Sequence, residues 1–182
     1  MTNHTLAALA LLCFTACAGG EAKFPPSSAG LGLPAFSDPV PAAIINARAA
    51  LADPARRIGD NPAFAARIVG QVEFAAAMMT EPRFHPIAPL VEGQLLRARS
   101  ELRAAIGLVP GASPQAVITA LAGAAAALDR GDEAGADRAL APVSAAPRQT
   151  RQALRGLPFM RDTSDALALA EWSLDRLAPT DE

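Results

Sequence analysis

A chain of 182 residues, 51% of them hydrophobic, supports one domain with a core and little more. Forty-four alanines against 4% aromatics describe a helical composition, in which helices must approach closely over small side chains. A formal net charge of −2 carries no nucleic-acid-binding field, and two cysteines four residues apart exclude a disulfide framework, a CxxC motif and a structural zinc site.

The first element is a short apolar run, Leu6 to Phe14 (LAALALLCF), too short to span a bilayer and placed where a secretory signal carries its apolar region. The preceding MTNHT lacks the usual Lys or Arg. The run ends in Phe14-Thr15-Ala16-Cys17, which resembles a bacterial lipobox: an apolar residue, two small residues, then cysteine. Phe14 stands where leucine is commoner. The resemblance implies a signal peptide over 1–16, cleavage before Cys17, and acylation of that cysteine. It also implies a protein held in the cell envelope by lipid. Ala18, in place of Asp, resembles the outer-membrane sorting class, with the domain facing the periplasm. The competing pattern, Ala16-Cys17-Ala18, is an A-x-A cleavage site that would release a soluble chain from Gly19.

Residues 17–41 are rich in Gly, Pro and Ser without helical periodicity, and read as a flexible tether. Phe24, Leu31, Leu33 and Phe36 are apolar enough to pack along the domain instead. Beyond the tether the reading is all-α, a single antiparallel bundle of about five to seven helices over 42–178, with a tail at 179–182. Asp53-Pro54, Asn61-Pro62 and Ser113-Pro114 each place a capping side chain before a proline at the first helical position. Gly107, Gly131 and Gly156 stand where helices should end left-handed. The resulting helices are 42–52, 62–80, 87–106, 114–130, 132–141, 147–155 and 163–177, with a short turn at 54–58. Val91, Leu95, Ala98, Leu102 and Ile106 form one apolar stripe, with Glu92, Arg99 and Arg103 off it. Phe64, Ile68, Val72, Ala75 and Met79 form another. Phe74 and Met78 add a second stripe to that helix, which makes it central. Around Arg130-Gly131-Asp132 a helix stops and restarts, similar to the turn inside a tetratricopeptide repeat, but no second copy follows.

No GxSxG, HExxH, Walker or GxGxxG motif is present, so no catalytic residue, metal ligand or cofactor is assigned. Two constellations remain. Glu81, Arg83 and His85 share a proline-bounded loop, where they could rim a pocket and give His85 a carboxylate partner. Arg148, Arg151 and Arg155 recur on one helix face, suited to anionic headgroups or an acidic envelope protein, or else to pairing with acids inside the bundle. Trp172 is expected in the core or between helices. Three functional readings follow: a lipid-anchored binding or scaffold domain; a periplasmic ligand-binding protein or enzyme using the Glu81–His85 loop; and a tetratricopeptide-like adaptor.

Overall fold

The computed structural model describes residues 27–35, 37–87 and 89–176, without the side chains of 85–87. Cys17, the leader and the tail from 177 lie outside the described residues. Eight α-helices and no strand occur among those described: α1 Pro39–Leu51, α2 Pro54–Arg57, α3 Pro62–Met78, α4 Pro89–Ala105, α5 Pro114–Asp129, α6 Glu133–Leu140, α7 Pro147–Ala153 and α8 Arg161–Asp175. A 3-10 turn, Pro82–Ile87, separates α3 from α4.

The helix starts are set by short side chains that accept from otherwise orphaned backbone amides. Asn61 accepts from Phe64 N at 2.9 Å, Ser113 from Ala116 N at 3.3 Å and Asp132 from Gly135 N at 2.7 Å. Asp38, followed by Pro39, accepts from Val40 N at 3.1 Å, so α1 begins three residues before the expected start. Gly107 and Gly131 both hold φ of +71° at helix ends. Gly156 does not adopt the left-handed conformation expected of it; α7 ends earlier, at Ala153, with right-handed Leu154 as its cap.

Four helices close into a ring: α1 packs on α3, α3 on α4, α4 on α8, and α8 back on α1. Helix α5 covers the remaining flank of α3 and carries α6, which in turn carries α7. Helix α3 is therefore enclosed, and its buried residues run almost without interruption from Ala63 to Met78. Its pairing with α5 is antiparallel, since Arg67 meets Asp129 near one end while Gly70, further along α3, lies against Leu121, earlier in α5. The closed ring differs in arrangement from a tetratricopeptide stack. Such a stack requires residues 62–141 to form successive pairs with an open concave face, whereas α3 and α4 are closed off by α1 and α8.

The apolar stripes reach the core as expected: Val91, Leu95, Ala98, Leu102 and Ile106 are buried, as are Ile68, Val72, Ala75 and Met79. Arg103 is the exception. Placed off the stripe by its spacing, it is 4% exposed.

Candidate functional site

Three polar or irregular features stand out against the alanine-rich bundle. The first is a buried ion pair. Arg103 on α4 donates from Nε to Glu73 Oε1 at 2.5 Å and from Nη2 to Glu73 Oε2 at 2.8 Å. Its Nη1 donates to the carbonyls of Pro110 and Ala112, at 2.8 and 2.9 Å. One guanidinium thus ties α3, α4 and the connector before α5 together, with the fork geometry that distinguishes Arg from Lys. Arg99, one helical turn earlier, has its Nε buried without a hydrogen-bond partner among the described residues. Burial holds its pKa below the ordinary guanidinium value; the Glu73 charge opposes this and the Arg103 charge adds to it.

The second feature is the segment Ser27–Leu33, inside the expected tether. Leu31 is fully buried, and Leu33 packs partly buried against the core. Gln71 on α3, itself buried, donates from Nε2 to the Leu31 carbonyl at 2.9 Å. Ser27 N donates to Gln115 Oε1 on α5 at 2.7 Å. Glycine makes room on both sides. A Cβ on Gly70 would lie 2.5 Å from Leu31 Cδ2, and one on Gly30 would lie 3.0 Å from the Ala122 Cβ. Gly30 and Gly32 hold φ of +80° and +73°, which lets the chain turn sharply at each side of the leucine. Of the two readings of the apolar side chains in this stretch, packing along the domain is the one Leu31 and Leu33 follow; Phe24 and Phe36 lie outside the described residues.

The third feature is an open cleft of about 380 Å³ beside that segment, between α1, α2 and α3, with Leu31, Gly32, Asn46, Arg57, Phe64 and Arg67 among its walls. Arg67 pairs with Asp129, while Arg57 makes no ion pair among the described residues. Within the described residues, no group of three or more His, Cys, Asp or Glu is placed to hold a metal ion, and no helix is long and apolar enough to cross a membrane.

The residues singled out from sequence are distributed differently. Arg83 and Glu81 do meet, at 3.1 Å, but Arg83 turns to Asp38 at 2.7 Å and lies over the Phe84 ring at 4.3 Å. These groups staple the loop to the start of α1, and the cleft is lined by other residues. His85 lies in the 3-10 turn, its side chain outside the described residues. Of the two readings of the arginine face, pairing with acids inside the bundle is the one Arg151 and Arg155 follow. Arg151 is buried and bonded to Asp137 at 2.7 Å and Glu133 at 2.8 Å, and Arg155 reaches Asp60 at 3.0 Å and Glu133 at 3.1 Å. The hydrogen bond to Asp137, with the nearby charges of Asp137 and Glu133, raises the Arg151 pKa against the opposing effect of burial. Arg148 alone of the three is exposed, so the helix does not present three free guanidiniums. Trp172, expected inside, is 52% exposed, with the Arg176 guanidinium 3.8 Å above its ring.

Sequence reasoning does not find the pairing of Glu73 with Arg103, nor that of Gln71 with Leu31. The signal for the last is Gly30-Leu31-Gly32 opposite a mid-helix Gly70, but nothing in the sequence links positions 31 and 70. Comparison with protein-family models, curated proteins and solved structures finds no match for this chain.

Proposed function

We propose that this chain is a lipid-anchored protein of the bacterial cell envelope whose helical bundle acts as a binding or scaffold domain. One observation carries the reading: an apolar run of signal-peptide length ending in Phe14-Thr15-Ala16-Cys17, with a small residue at both positions before the cysteine. Acyl chains on Cys17 hold the protein at the membrane, since each buried methylene contributes about 0.8 kcal/mol and more than one chain gives stable attachment. Ala18 favours the outer membrane, with the bundle facing the periplasm. The reading of the bundle as a binding domain is supported by the structural use of Arg103, Arg151 and Arg155, which are held in pairs within the fold, and by the surfaces and cleft left to meet another molecule. A ligand-binding reading independent of the anchor is supported by that cleft, with Arg57 at its wall.

The test is intact-mass measurement of the protein from a membrane fraction of its native host, beside a Cys17→Ser variant. A mass matching the chain from Cys17 plus acyl groups, absent in the variant, is the expected result. An unmodified chain beginning at Gly19 refutes the anchor and leaves a diffusible binding protein.

A further inference from the structure

We propose that Ser27–Leu33 is a releasable strap that sets the working length of the tether, an inference that rests on the anchored reading of Cys17. Leu31 occupies a slot on the surface made by α3 and α5. Gly70 provides the depth of that slot, Ala122 lies against Gly30, and Gln71 holds the Leu31 backbone. The segment attaches through fully buried Leu31, part-buried Leu33 and a few hydrogen bonds, while Pro34, Ala35 and Ser37 downstream are exposed. Such an attachment opens locally, without unfolding of the bundle beneath it.

Strap opening changes the reach of the domain. While it is docked, only residues 18–26 separate the acylated cysteine from the bundle, at most about 30 Å of fully extended chain. With the strap released, residues 18–38 are available, a limit of about 70 Å. One protein therefore has two standoff distances from its membrane. The position of Leu31, between the anchor and α1, is what makes the docking a control of length. A leucine buried inside the bundle proper would leave the reach unchanged.

The strap is read first without the anchor, in the full chain carrying Cys17→Ser, by amide hydrogen exchange. Residues 27–33 are expected to be protected roughly 10–100-fold over unfolded chain, at least tenfold less than the interior of α3. Leu31→Ser and Gly70→Ala, the second of which fills the slot with a methyl, should each abolish that protection and leave α3 and α5 within about twofold of the parent. Absence of protection in the parent, or protection equal to that of α3, overturns the proposal. So does loss of the bundle fold in both variants.

Reach is then read with the acylated full chain on vesicles of phosphatidylethanolamine and phosphatidylglycerol carrying an acceptor dye, with the donor on Ala126→Cys, an exposed position of α5. Gly70→Ala is expected to lower energy transfer; unchanged transfer overturns the proposal. Failure of the protein to acylate and bind vesicles refutes the anchor instead, while the exchange result stands on its own.

Discussion

Removal of Arg103 should be the most damaging single change in the charged interior. The Arg103 and Glu73 side chains are 5% and 1% exposed, so Arg103→Met leaves a carboxylate in the core without its partner. Breaking a buried pair from one side costs about 3–5 kcal/mol, which is a large part of the 5–15 kcal/mol typical of a domain. Met preserves most of the stem packing, so the loss reports charge and hydrogen bonding. The part-buried carbonyls of Pro110 and Ala112 lose a donor as well, though water can replace it. Glu73→Leu should cost a similar amount, because Arg99 and Arg103 are then neighbouring cations without their shared anion. The double variant removes both charges and should recover most of the loss, because well-packed apolar replacements of buried pairs are often neutral or stabilising. Arg99 hardly changes this balance: the double variant takes away an attraction and a repulsion together. Urea unfolding followed by helical circular dichroism, on the full chain carrying Cys17→Ser, gives the cycle. A coupling energy above about 2 kcal/mol is expected. Additive losses, or a cost below about 1 kcal/mol for Arg103→Met, would refute the reasoning.

Other outcomes follow from single contacts. Asp132→Ala removes the α6 cap and should cost about 1 kcal/mol in the same urea assay. Gly135→Ala should produce a comparable loss despite alanine's better helix propensity, because its Cβ would collide with the Asp132 carboxylate. Arg151→Lys should cost about 1–2 kcal/mol by giving up the planar fork that reaches Asp137 and Glu133 together. The Arg151 pKa is raised in the fold, so its contribution is complete below the unfolded value and is lost only as pH rises through the folded one. The difference between parent and variant should thus be flat from about pH 6 to 9 in pH-dependent unfolding. Trp172, the sole tryptophan, should emit as a solvent-exposed indole and be quenched readily by acrylamide; a blue-shifted, protected emission would place it in the core.

The features legible in the sequence are those that local chemistry dictates. Asn61-Pro62 and Ser113-Pro114 fix helix starts because cap and proline act within one turn, and the 91–106 stripe finds the core because its spacing is helical. Asp38-Pro39 carries the same signal, but the surrounding Pro and Ser give the stretch the composition of a linker and mask it. The misplaced residues share a different cause: their partners are distant in sequence. Arg155 meets Asp60 across 95 positions, and Arg103 meets Glu73 across 30. Periodicity places a residue on a face of its own helix, but what that face meets is set by packing. Arg103 does lie off the apolar stripe, as its spacing requires, yet it is buried because two other elements cover that side of α4.

Packing also accounts for the structural use of the groups most suggestive of function. An alanine-rich core buries little area per residue, so neighbouring helices approach closely and offer few large side chains to fix their relative positions. Arginines supply part of the missing constraint. Arg103 holds α3, α4 and a connector, Arg151 holds α7 to α6, and Arg155 holds the end of α7 to the turn after α2 and to α6. Their forked geometry specifies distance and angle in a way a methyl-lined interface cannot. A surface rich in arginine is then poor evidence for an anionic partner in this protein, because its bundle already supplies the acids. The contact that departs from this pattern is Leu31 in its glycine-walled slot, apolar, held by few contacts and located on the path to the proposed anchor, and that is where reversible behaviour should be sought.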